Sequence, residues 1–291
     1  MPTTKTTTQP KMVEPVETDR DPNETGVIGA GFGRTGTNSL MFALDEIGVG
    51  ATMHMLRLLG GSEPLFPTRL RRILAFSSAG AEKDKQKRQE LLRVAMKGYR
   101  SEVDFPASIF YKDFMEMYPN KKVVLTVRGN ASEWLKSCQA TICKMIFPDF
   151  AVDPFLWLFV KITPPGMFVD YFFTNTIKQV LPSSDPQLML AVYDKWVEDV
   201  KRSVPKERLL VFDVKEGWEP LAKSLDLPTP STPFPRLNDA DQINAEFNGM
   251  RAVGALALVF YLIMAFLLGR KALRMVGIGG QRRIVKSSKA E

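Results

Sequence analysis

A chain of 291 residues, 45% hydrophobic and 24% charged, suits one folded domain with appendages. Its two cysteines, Cys138 and Cys143, make no disulfide framework and no metal-spaced set, and with His54 as the lone histidine a His-rich metal centre is excluded. The net charge is +7, but residues 270–291 alone carry +6, so the basicity belongs to a tail and a nucleic-acid groove is not expected.

Residues 1–24 are polar, rich in Thr and Pro, and lack an apolar h-region, which predicts a disordered lead-in rather than a signal peptide. The folded domain is expected over 25–245. It opens with "GVIGAG", a short apolar strand ending in glycine, and continues through a tight loop into a helix with Leu40, Ala43, Leu44 and Ile47 on one face and Gly48 as its stop. "EKDKQKRQELLRVAMKGYR" predicts a charged, exposed helix with a thin apolar face. "NKKVVLTVR" is the clearest strand, bounded by Pro119-Asn120 and Gly129-Asn130. "SEWLKSCQATICKMI" then reads as one helix capped by Asn130 or Ser132, with Trp134 a packing anchor and both cysteines small helical hydrophobes.

Residues 145–181, aromatic and punctuated by proline, break this rhythm and are expected to form a lid or an apolar wall. "PQLMLAVYDKWVEDVKRSV" predicts a long helix, "ERLLVFDV" a strand and "EGWEPLAKSLDL" a short helix anchored by Trp218. Strands alternating with helices predict an α/β fold: a parallel sheet with helices on both faces. Residues 252–269 run without a charge, between Arg251 and Arg270-Lys271. As a helix they reach about 27 Å, near the hydrocarbon thickness of a bilayer, so a single transmembrane helix is expected, followed by a basic tail over 270–291. The simplest topology keeps the domain cytosolic; the positive-inside rule favours a cytosolic tail, which leaves an in-plane or hairpin insertion open.

Residues 29–37 carry the chemistry. Gly31-x-Gly33-x-x-Gly36 matches a dinucleotide fingerprint, but the region about 20 residues on, "GATMHMLRLLGG", where a ribose-holding carboxylate would be needed, has no acid before Glu63. A triphosphate hydrolase needs Lys after the last glycine and a metal-organising Asp after a later strand; Thr37 and Arg128 stand there instead. The remaining reading is an anion cradle of loop amides and a helix N-terminus, with Arg34 to neutralise developing charge and Thr35, Thr37 and Ser39 as hydroxyl donors. Arg128, with Ser137 nine residues on, is placed for a second phosphate of the same nucleotide.

These residues resemble a known family. Gly33-Arg34-Thr35-Gly36-Thr37 is similar to the 5′-phosphosulfate loop of sulfotransferases, with Arg34 at the lysine position, and "VVLTVR…S" to their 3′-phosphate motif. "GAGFGRTGTNSL", "MHM", "VDFPASIFYKDFMEMYPNKKVVLTVR" and "LLVFDVKEGWEPLAKSLDLPTPSTPFPRLND" resemble the sulfotransferase-like P-loop family in which Gly-Arg-Thr-Gly-Thr is typical, in order over about residues 25–240. The resemblance implies a P-loop NTPase-like three-layer fold and 3′-phosphoadenosine-5′-phosphosulfate as sulfuryl donor, without a metal. It implies nucleotide-binding roles for Gly33, Arg34, Thr35, Gly36, Thr37, Asn38, Ser39, Arg128 and Ser137.

Guanidinium does not give up a proton at neutral pH, so Arg34 is expected to clamp charge rather than act as an acid. The base is either His54 or Asp104. The aromatic segment and the anchor predict a lipophilic small-molecule acceptor at a membrane, and a homodimer stays open. The second reading is a membrane-tethered nucleotide-binding protein of the same fold without transferase activity.

Overall fold

The computed structural model describes residues 12–15, 26–59, 65–237 and 240–275. Five parallel strands form one sheet in the order β2-β3-β1-β4-β5: β1 (Val27–Gly29), β2 (Thr52–Met53), β3 (Ser101–Glu102), β4 (Lys122–Thr126) and β5 (Leu209–Phe212). Alternation along β4 builds the three layers. Val123 and Leu125 enter one apolar core with Trp134 and Phe76, while Val124 enters the other with Leu40, Trp218 and Leu221. The expected α/β architecture is therefore present, and the predicted packing roles of Trp134 and Trp218 hold.

Strand order reverses at β1, which has β3 on one side and β4 on the other. In open parallel sheets this switch point leaves a crevice outside the carboxyl ends of the strands. The loop after β1, Asp104 after β3 and Arg128 after β4 all lie at those ends.

Three local readings change. The single helix over 132–146 is broken: Ala131–Ala140 is capped by Asn130, the chain leaves helical geometry at Thr141 (φ −133°, ψ −105°), and Cys143–Ile146 resumes it. The break folds the Cys143 thiol back to donate to Cys138 Sγ at 2.8 Å. The aromatic segment is helical, as a hairpin of Pro154–Ile162 and Pro164–Asn175. Each starts with proline behind a capping side chain, Asp153 and Thr163, so the prolines open helices rather than break them. Finally, the apolar run belongs to a longer helix, Ala240–Met275, of which Ile243–Arg274 is long and apolar enough to cross a membrane and is 6% buried over its most apolar window. Most of the lead-in and of the basic tail lies outside the described residues.

Glu102 sits fully buried on β3, 3.8 Å from Lys121 Nζ, and burial pushes its carboxyl up to about 8. Burial also holds Lys121 below its usual range. Between the ordinary glutamate value of 4.5 and about 8 the folded chain thus holds a proton that the unfolded chain releases. Stability from this group is complete below that window and falls as pH rises through it. Glu102→Gln is expected to flatten the decline of Tm across the window, read by thermal unfolding at stepped pH.

Candidate nucleotide and acceptor site

The loop between β1 and helix α1 (Thr37–Glu46) is shaped by steric exclusion and by side chains that bind its carbonyls. A Cβ at Gly31 would lie 1.9 Å from Thr126 Oγ1, and one at Gly33 would lie 2.7 Å from Asp104 Oδ1, so only glycine lets the strand end and the carboxylate approach this closely. Arg34 and Gly36 both take positive φ, 74° and 94°. At Arg34 this left-handed backbone carries the strain of a side chain, a pattern that gathers at functional turns. Trp134 Nε1 donates to Gly33 O at 2.9 Å, and Trp196 Nε1 to Ala30 O at 2.8 Å. Thr35 Oγ1 donates to Phe32 O at 2.6 Å, so that hydroxyl braces the loop from within.

Helix α1 begins at Gly36 with no side-chain cap, which leaves its first amides to an external anion. The cations stand beside it. Arg128 Nη1 donates to Arg34 O at 3.0 Å and to Ser137 Oγ at 3.1 Å, and Arg34 Nε points at the same hydroxyl from 3.4 Å. Ser137 thereby couples the two arginines.

A cavity of about 550 Å³ lies over this surface, lined among others by Arg34 through Ser39, Arg128 and Ser137. Lys215 and Arg236 add charge, opposed by Glu133 and Asp213; four cations against two carboxylates leave a positive field among the described residues. Lys215 comes from the turn after β5, and Arg236 from the loop after Phe234, which carries no local signal of its own.

A second, smaller cavity of about 130 Å³ adjoins it. Gly33, His54 and Asp104 line it together with apolar side chains including Phe105, Ile142, Met145 and Phe247. Arg34, Thr37 and Asn38 line both cavities and so mark their junction. There the Asn38 side-chain carbonyl oxygen is buried and has no protein partner.

The two candidate bases prove to be one unit. His54, at the end of β2, is 6% exposed, and its Nε2 stands 3.2 Å from Asp104 Oδ2 and 3.1 Å from Thr37 Oγ1. Its Nδ1 accepts the Leu56 N–H at 3.0 Å. In the neutral ring the proton therefore belongs on Nε2, directed at Asp104 or Thr37. Asp104 itself takes φ 68°, a strained value that turns its side chain over the loop.

All the predicted site residues converge here: Arg34 to Ser39 with Arg128 and Ser137 around the larger cavity, and Gly33, His54 and Asp104 around the smaller. The roof of the smaller cavity was not foreseen. Ile243, Glu246, Phe247 and Met250 come from the first turns of the long C-terminal helix, ahead of its uncharged run.

A family model described as a sulfotransferase domain matches residues 26–243. The chain belongs to that sulfotransferase family. It is similar to Ava biosynthesis cluster protein M of Aspergillus versicolor, with 30% identity over 223 residues, 74% of this chain and 81% of that protein.

Proposed function

We propose that the chain moves a sulfuryl group from 3′-phosphoadenosine-5′-phosphosulfate to a hydroxyl or amine of a lipophilic small molecule, from a membrane-attached domain facing the cytosol. The observation that carries this reading is the junction: a cationic cavity sized for a nucleotide meets an apolar one at Arg34, Thr37 and Asn38, with the His54–Asp104 pair on the apolar side. The residues suit the donor. The uncapped helix start and the loop amides fit its 5′ group, and Arg128 with Ser137 fits its 3′-phosphate. The orphaned Asn38 amide at the junction, once turned over, has N–H groups to offer an anionic oxygen.

Bound there, the donor supplies the sulfuryl group, the sulfur–oxygen bond to its phosphate breaking as the bond to the acceptor forms. Arg34 holds the negative charge that collects on the phosphate side. Asp104 takes the acceptor proton on its carboxylate, because both ring nitrogens of His54 are already engaged. His54 fixes the orientation of that carboxylate through Nε2–H. The apolar wall keeps water from competing for the sulfuryl group. The relative's name, a biosynthesis cluster protein, supports a small-molecule acceptor.

The test is calorimetric titration with adenosine 3′,5′-bisphosphate, with NAD⁺ alongside. Truncating one partner of a buried charge pair costs about 2–5 kcal/mol, so Arg128→Ala is expected to weaken bisphosphate binding by about 30-fold or more. A folded protein that ignores the bisphosphate would overturn the proposal, and preference for NAD⁺ would return the glycines to the dinucleotide reading.

A further inference from the structure

The helical hairpin 154–175 runs beside the C-terminal helix in a defined register. Asp153 Oδ2 accepts from Arg251 at 2.7 and 2.8 Å, Gly254 packs against the Phe155 carbonyl, and Tyr261 Oη donates to Ile162 O at 3.2 Å. Contacts that advance together along both chains mean parallel helices, side by side over Pro154–Ile162, about 13 Å at 1.5 Å per residue. Gly254 permits the close approach, since a Cβ there would lie 2.1 Å from Phe155 O.

Charge is arranged along that length. From Pro154 to Val169 the one ionisable group is Lys161. Its ammonium meets Asp170 at 2.7 Å, on the returning helix, and Asp170 also meets Lys178 at 2.8 Å, beyond that helix. Lys161 thus reaches back toward the base of the hairpin and leaves the tip, Ile162 to Met167, uncharged. The other ion pair, Asp153–Arg251, closes the base at the level where the uncharged run of the long helix starts. Meanwhile Phe155, Met167 and Tyr171 are exposed, as are Leu256, Phe260 and Leu262 on the neighbouring helix.

We infer that the hairpin is a second membrane-contact element, an apolar wedge seated in one leaflet beside the long helix, with the Asp153–Arg251 pair marking the boundary with water. The occupant of this face is a lipid bilayer because the hairpin's exposed apolar side chains and its uncharged tip, level with Tyr261, continue the surface of a helix of bilayer length. The inference deepens the proposed function and rests on its membrane reading. Met250, in the roof of the apolar cavity, lies one residue above that boundary. The cavity therefore stands at headgroup height, and its acceptor is a bilayer-dissolved amphiphile whose hydroxyl or amine rides at the interface.

The full chain, reconstituted in phosphatidylcholine vesicles, carries an environment-sensitive fluorophore on a single introduced thiol. Cys138 and Cys143 are buried and stay unlabelled under mild conditions. Met167→Cys and Tyr171→Cys are the test positions, Leu267→Cys the anchor control, and Val211→Cys, on the edge strand β5, the aqueous control. Labels at 167 and 171 are expected to lose emission to a nitroxide-bearing lipid about as strongly as the label at 267, with none lost at 211. Loss at 267 alone would overturn the wedge and keep the anchor; that result would also admit a second copy of the chain as the cover of this face. Absence of loss at 267 would overturn the membrane reading and the wedge with it, while leaving nucleotide binding untouched.

Discussion

Asp104→Asn is expected to lower turnover roughly 10²–10⁴-fold, the range of a lost general base, while bisphosphate binding stays near that of the native protein. The substitution is a fair test because little else changes. Asparagine tolerates the left-handed backbone that Asp104 occupies at φ 68°, and its carbonyl oxygen still accepts the Nε2–H of His54. Asp104 also lines the smaller cavity and not the larger one, where the proposed donor would sit, so affinity for that donor should not follow its charge. His54→Gln separates base from positioner. A positioning His54 predicts a smaller loss of kcat and a pH profile that keeps its acidic limb. Should His54→Gln abolish that limb while Asp104→Asn retains most activity, the roles are reversed.

Arg34→Ala is expected to cost about 10²–10³-fold in kcat, the scale set by removal of one preorganised charge-stabilising donor. Arg34 borders both cavities, so its loss is felt where the phosphate–sulfur bond breaks as well as where the nucleotide rests. The backbone does not confuse the reading, since Ala carries the same Cβ at φ 74° as Arg does. Arg34→Gly is the informative companion: it relieves that strain and should still be inactive if the guanidinium matters. Pre-steady-state single turnovers separate chemistry from binding, and an unchanged single-turnover rate in Arg34→Ala would remove the charge-clamp role.

Legibility of the sequence followed element length and locality. The strand around Val123–Leu125 and the helix Pro186–Ser203 declare themselves because each is long enough to show its period. Strands β2 and β3 span two residues each and cannot show alternation, although they carry His54 and Asp104 into place. The loop between β1 and α1 was legible as a unit because its glycines, its arginine and the following helix are contiguous. The His54–Asp104 pair joins residues fifty positions apart, which only the β2–β3 ladder brings together. The helical hairpin within 145–181 does not declare itself because its prolines interrupt the apolar pattern, whereas at a helix start proline costs nothing. The cavity roof is not legible because Ile243, Glu246, Phe247 and Met250 meet the site only through the tertiary fold and carry no local motif.

The helix Ala240–Met275 is continuous, with no joint between the turns that roof the smaller cavity and the run of bilayer length. A domain on a flexible tether sweeps a hemisphere of solution; one fused to a rod keeps a single height and tilt. Seated in a membrane, this site would meet partners travelling in the plane it occupies. Its rate would then follow how crowded that plane is, in molecules per unit area, and adding inert lipid at constant bulk concentration would slow it as dilution slows any two-dimensional search.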